Sequence, residues 1–334
     1  MTKCETCNFY NYDEEYGDYV CYMDLDEDEM ARFLSSDVNS CPFWRPGDEY
    51  RTARRQSGGY FMDIRAVFDR VSLRDPAPDS FSLLIEGSRG KLLSMLSTPG
   101  GKGLHPAVVL SHGYPGNEQN MDLVQFLRAL GFAVLTYHYS GSWGSDGDFS
   151  FRNCIEDANT VLDHLIRHAA EYDIDPDRIY AAGHSMGGFV TAHLLAKRRD
   201  LQGGVLIAPW DVARTYAFSK TDVDCRRNLS EVLSCGYGWL RDITPEKFDA
   251  ELSRDTDALR LDKLAPGLRN VPILCISGEN DVITPPELHQ YPLRDALSDS
   301  ENFRHVTLPG DHCFQAYRPA LWETVGEYLL ELER

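Results

Sequence analysis

A doubly wound, mostly parallel α/β sheet is predicted for most of this chain, on three observations. Short continuous apolar runs recur at Ala107–Ser111, Phe132–Tyr137, Arg178–Ala182, Gly204–Ala208, Pro272–Ser277 and Arg304–Leu308. Runs without alternation suit parallel strands covered on both faces. Helical patterns lie between them: residues 151–170 set Cys154, Ile155, Ala158, Val161, Leu162, Leu165 and Ile166 on one stripe. A turn of Gly183-His184-Ser185-Met186-Gly187-Gly188 directly follows one strand. Strand–helix alternation of this kind builds a parallel sheet with helices on both faces.

The chain begins with an acidic head. Of the formal net charge of −19, residues 1–50 carry −10, from 13 Asp/Glu against 3 Lys/Arg. Cys4, Cys7, Cys21 and Cys41 form a C-x2-C pair followed by two single cysteines. A segment of about 50 residues has little core of its own, so a metal or covalent staple is expected. Four thiolates suit a structural zinc; iron–sulfur ligation, disulfides or unrelated buried thiols are the alternatives. Asp26-Glu27-Asp28-Glu29 reads as a capping box opening a short helix, and the tyrosines at 10, 12, 16, 19 and 22 as cover for a tiny core. Residues 51–59, basic then Gly-rich, read as a linker between a module at 1–55 and a domain at 60–334.

That second domain opens with extended segments, Phe81–Glu86 and Lys91–Thr98, joined as a hairpin through Gly87-Ser88-Arg89-Gly90. Farther on, Asp175-Pro176-Asp177 is expected to turn the chain into the strand before Ser185. Residues 211–268 read as one long irregular insertion, a lid over Ser185. Its aromatics, with Trp210 before them, suit either an apolar acyl group or packing of the lid onto the body.

In open α/β sheets the reactive groups gather at the carboxyl ends of strands. A short strand ending in G-x-S-x-G turns sharply enough to expose a serine hydroxyl, so Ser185 is the expected nucleophile. A serine needs a base within hydrogen-bond reach, and His312 in Pro309-Gly310-Asp311-His312 is that base. Asp281, in Gly278-Glu279-Asn280-Asp281, is the expected acid, with Asp211 its competitor because it too follows a strand. His305 competes with His312 but lies inside a strand. Backbone N–H groups of Tyr114, in His112-Gly113-Tyr114-Pro115-Gly116, and of Met186 are the expected oxyanion donors. His112 and His184 are read as loop supports. Cys154, Cys225, Cys235, Cys275 and Cys313 are read as small apolar residues, Cys313 with a further susceptibility to oxidation.

Taken together, the loops at His112–Glu118, Gly141-Ser142-Trp143-Gly144-Ser145, Gly183–Gly188 and Gly278–Asp281 resemble those of the α/β-hydrolase fold family. Within it they are similar to stand-alone relatives of prolyl-oligopeptidase and acyl-aminoacyl-peptidase catalytic domains. The order Ser, Asp, His is the one that family uses. One loop departs: relatives commonly carry Arg-Gly-Ser where Ser140 precedes Gly141 here. Residues 1–55 resemble small acidic four-cysteine modules, a likeness that implies no activity.

The acidic balance argues against nucleic acid or anionic membrane as partner. No apolar run approaches the roughly 18 residues of a bilayer span, and no apolar signal segment opens the chain. The expectation is a cytoplasmic serine hydrolase of a carboxylic ester or related small acyl substrate, needing no cofactor for catalysis. An aminopeptidase-like or acyl-peptide hydrolase is the alternative, and a catalytically silent binding protein on the same scaffold a third reading. Oligomeric state is open.

Overall fold

The computed structural model describes residues 10–13, 16–21 and 64–334. The chain divides into two compact units, 1–62 and 63–334.

In the first unit, β1 (Tyr10–Asp13) pairs antiparallel with β2 (Asp18–Cys21), setting Tyr10 opposite Cys21. Tyr16 and Tyr19 are exposed, not cover for a core. Cys21 is exposed and outside any disulfide. Cys4, Cys7 and Cys41, the capping box and the linker lie outside the described residues. Among the described residues no cluster of three or more metal-ligating side chains occurs.

The second unit is built on an eight-stranded sheet in the order β10-β9-β8-β7-β5-β6-β4-β3. It opens helically at Ile64–Asp69, a departure from the extended start expected. Strands β3 (Asp79–Gly87) and β4 (Gly90–Thr98) then form the expected antiparallel hairpin. Next come β5 (His105–Ser111), β6 (Ala133–Tyr137), β7 (Ile174–His184), β8 (Gly203–Ile207), β9 (Ile273–Gly278) and β10 (Phe303–Leu308). From β6 to β10 neighbours are parallel, while β4 joins β6 antiparallel. Every residue of β6, β8 and β9 is buried. Each large apolar side chain so covered contributes about 1.5–3 kcal/mol.

Asp175-Pro176-Asp177 belongs to β7 itself. The register against β5 jumps there, with His105 opposite Ile174 and Ala107 opposite Ile179. The extra residues are accommodated as an irregularity and not as a turn.

Helices cover both faces. Helix α1 (Met121–Leu130) buries Leu123, Val124, Phe126 and Leu127. Helix α2 (Phe151–Arg167) carries the expected stripe, and the Ser150 hydroxyl caps its Asn153 N–H. Helix α3 (Met186–Lys197) leaves Ser185 directly and is buried almost throughout. The insertion after β8 is helical, contrary to expectation: α4 (Val212–Ser219), α5 (Val223–Ser234) and α6 (Pro245–Leu259) fill most of it. Asp211, Asp222 and Thr244 cap their N-termini, which is why charge-rich sequence still forms helices. Helix α7 (Arg318–Leu332) closes the domain.

The insertion is fastened to the body. Arg241 N–H donates to the Gly141 carbonyl at 2.7 Å, and Phe149 N–H to the Arg241 carbonyl at 3.1 Å. Glu251 of α6 accepts from Phe151 and Arg152 N–H, the first residues of α2, where the helix dipole favours a carboxylate. Of the insertion's aromatics and Trp210, the buried set (Trp210, Tyr216, Phe248) packs, while Phe218, Tyr237 and Trp239 are exposed. Cys235 is also exposed, so it is not the packed thiol expected.

Candidate active site

The turn at Ser185 is forced by close approach. A Cβ on Gly183 would meet the Gly187 carbonyl oxygen at 2.1 Å, and one on Gly187 the Ser111 carbonyl oxygen at 2.0 Å. Only glycine fits at either position. Ser185 itself sits at φ 58°, ψ −120°. Such a conformation costs on the order of 1–3 kcal/mol in a non-glycine residue and persists because the surroundings dictate it. Those surroundings are on hand: Ser185 N–H donates to the Ile207 carbonyl at 2.9 Å, and its own carbonyl accepts from Trp210 N–H at 3.0 Å.

Two loops from neighbouring strands meet beside this turn. His312, four residues past β10, bonds through Nδ1 to Asp281 Oδ2 at 2.8 Å. A neutral imidazole donating from Nδ1 leaves Nε2 as an acceptor. His184, the residue before Ser185, donates from Nε2 to the His312 backbone carbonyl at 2.8 Å, with ring centroids 4.8 Å apart. Burial, with the His312 charge, pushes the His184 imidazole down to about 3, so it is neutral and structural at ordinary pH.

Asp281 is 4 % exposed. Its Oδ1 accepts Ile283 and Thr284 N–H at 2.9 and 2.7 Å, and its Oδ2 accepts the Thr284 hydroxyl at 2.7 Å besides His312. Burial alone would raise this carboxyl; the His312 and Thr284 bonds hold it below the usual carboxylate range. Asp211 is placed differently. It accepts Arg214 and Leu261 N–H and meets no imidazole through its carboxylate. Burial pushes it up to about 7, only partly offset by those two bonds. His305, inside β10, bonds to the Ser277 hydroxyl at 2.8 Å, away from either acid.

The His112–Gly116 loop lies on the other side. A Cβ on Gly113 would stand 3.3 Å from Ser185 Cβ, so the Gly113–Tyr114 peptide passes close to the nucleophile position. His112 donates from Nδ1 to the Gly113 carbonyl at 2.7 Å, fixing that peptide unit. Tyr114 donates its hydroxyl to the Leu233 carbonyl of α5 at 2.6 Å and packs edge-on against Trp210 and Phe248. Met186 opens α3, where a helix's first N–H has no intrahelical partner.

The departing loop also has a role in the fold. Ser140 N–H and hydroxyl both donate to Asp157, which pairs with Arg89 at 2.9 Å. Cys313, next to His312, is half-buried, and burial pushes its thiol up, away from thiolate chemistry. Thr284 and His289 were not legible as site residues. Thr284 carries one faint signal, its position three after Asp281, where a hydroxyl can bond back to the carboxylate. His289 carries none.

Two family models match the chain: Domain of unknown function (DUF6472) over residues 1–57 and Serine aminopeptidase, S33 over residues 104–260. The second span contains Ser185 but neither Asp281 nor His312. Uncharacterized protein Rv2307c of Mycobacterium tuberculosis (strain ATCC 25618 / H37Rv) is 28% identical over 216 residues, 64% of either chain. A cutinase of Thermobifida fusca (strain YX) is 28% identical over 181 residues, 46% of this chain and 58% of the cutinase. The match thus spans somewhat under two thirds of the length of these curated relatives. A Pyrococcus furiosus esterase has a similar structure, with TM-score 0.56 and 20% identity over 76% of this chain and 91% of that one. Residues 104–260 are thus similar in sequence to the serine aminopeptidase S33 model, and residues 63–334 have the α/β-hydrolase fold.

Proposed function

We propose that this domain hydrolyses a carboxylic ester or related small acyl substrate through Ser185, His312 and Asp281. The observation that carries the reading is the Asp281–His312 bond beside a serine held at positive φ. In the proposed step, Ser185 Oγ attacks the acyl carbon while His312 Nε2 takes its proton. Asp281 keeps the ring in the Nδ1–H tautomer and stabilises the imidazolium. Tyr114 and Met186 N–H groups would hold the developing oxyanion. His312 then returns the proton to the leaving alcohol, and water enters by the same base to free the acid from Ser185. No metal takes part in these steps.

An aminopeptidase-like or short-peptide hydrolase is the second reading, favoured by the family model over residues 104–260. The test is turnover of a panel of p-nitrophenyl esters beside aminoacyl-naphthylamides. Ester turnover that vanishes in Ser185→Ala supports the first reading; naphthylamide turnover alone supports the second. Absence of both, with intact folding, supports a silent scaffold.

For the head, we read Cys4, Cys7, Cys21 and Cys41 as a structural zinc site. Elemental analysis of anaerobically purified protein should find one zinc per chain, lost in Cys7→Ser. We read the setting as reducing and cytoplasmic, where thiols stay available to a metal.

A further inference from the structure

Beside the candidate triad lies a cavity of about 540 Å³ to which none of the above assigns an occupant. Its lining includes Leu229 and Val232 of α5, Ile283 of the loop after Asp281, Leu288 of the short helix Pro286–His289, and Trp210. Trp210 is tied to the nucleophile, since its N–H donates to the Ser185 carbonyl at 3.0 Å. Of the lining residues, Val282 is 81% exposed, so apolar surface reaches the solvent here. The lining mixes these apolar side chains with Thr215, Asn228 and three acidic residues, and pockets of this size hold small organic ligands.

His289 supplies a buried polar group. Its side chain is buried, 1% exposed, and it lines the cavity. Its Nδ1 accepts the Asp211 N–H at 3.2 Å, so the neutral ring carries its proton on Nε2. That Nε2–H has no hydrogen-bond partner among the described residues. Burial pushes this imidazole down to about 3, which keeps it neutral, and it lies within electrostatic reach of Asp281 and His312. The charged residues of the lining are all acidic: Asp222 caps α5, Asp224 pairs with Arg227, and Glu231 has no ion-pair partner among the described residues.

We propose that this cavity binds the substrate's acyl group, and that the group is uncharged, apolar or aromatic, with a hydrogen-bond-accepting oxygen received by His289 Nε2–H. The inference rests on the hydrolytic reading of Ser185. The acyl carbon is the atom bonded to Ser185, and Trp210, hydrogen-bonded to Ser185, is part of the cavity lining. A carboxylate on the acyl group would meet the acidic rim and be rejected.

The test uses the full chain and four p-nitrophenyl esters: acetate, 3-phenylpropanoate, and its ring-methoxy and ring-carboxylate derivatives. Relative to phenylpropanoate, the methoxy ester should gain ~10-fold in kcat/KM and the carboxylate ester should lose ~10-fold or more. His289→Phe should erase the methoxy preference. Leu229→Trp, which fills the cavity, should lower the phenylpropanoate-to-acetate ratio by ~10-fold or more. Glu231→Lys, an exposed position that cannot disturb the core, should reverse part of the carboxylate penalty. Hydrolysis of all four esters with ratios unmoved in the three variants would overturn the cavity assignment. So would selectivity that follows the alcohol portion alone. Failure of every ester, with no fluorophosphonate labelling of Ser185, would instead overturn the hydrolytic reading.

Discussion

Two aspartates stand at the carboxyl ends of adjacent strands, Asp211 after β8 and Asp281 after β9. Both are buried, 0% and 4% exposed, yet they are driven in opposite directions. Asp281 receives a histidine, a hydroxyl and two N–H groups, and its carboxyl is held low. Asp211 receives two N–H groups and no side-chain donor, and burial raises its carboxyl to about 7 despite the nearby Arg214 charge. Burial is common to both, so burial alone does not set which carboxyl stays ionised. Compensation does: four donors on one carboxylate outweigh its desolvation, and two do not.

The largest expected effect breaks the pair apart. Asp281→Asn should lower kcat/KM for an activated ester by ~10⁴, since the amide no longer accepts from Nδ1–H and the tautomer is lost. Asp211→Asn should change it by less than ~10-fold, because no reacting group touches Asp211. Steady-state kinetics on both variants checks this.

A smaller effect sharpens the account of Asp281. Thr284→Val removes the 2.7 Å hydroxyl donor while keeping the backbone bond, and should cost ~10-fold in kcat. Thr284→Ser should recover most of it.

The smallest effect is on stability. A carboxyl raised to about 7 in the folded chain, against ~3.9 unfolded, keeps its proton longer when folded. Its stabilising contribution is full below the unfolded value and lost as pH rises toward 7, by at most about 1.4 kcal/mol per pH unit. Asp281 has the opposite sign: its contribution is present above the unfolded value and lost as pH falls. Denaturant titrations at pH 5 and pH 8 should therefore show Asp211→Asn with a flatter pH dependence than the unsubstituted chain.

The parallel strands were legible because burial on both faces leaves uninterrupted apolar runs, as in β6 and β9. The tight turn at Ser185 was legible because Gly183 and Gly187 stand where only glycine fits. Three features were missed for identifiable reasons. Pro176 and its flanking aspartates signal a turn locally, but the sheet absorbs them in β7. The insertion seemed irregular because α6 is charge-rich, although Asp211, Asp222 and Thr244-Pro245 were readable start signals. Its Phe248 and Glu251 reveal their roles only on meeting Phe151 and Arg152, far away in sequence. For the same reason the choice between Asp211 and Asp281 rested on position alone: Thr284 and His289, which set their surroundings apart, act through contacts that the local pattern does not encode.

The central claim is that Asp281, through His312, activates Ser185. Reaction with a fluorophosphonate, followed by mass-spectrometric mapping of the adduct and its rate of formation, tests it most directly. The adduct should form on Ser185, slow by ~10³-fold or more in Asp281→Asn, and form at nearly the original rate in Asp211→Asn. An adduct elsewhere, or slowing in Asp211→Asn with Asp281→Asn unaffected, would contradict it.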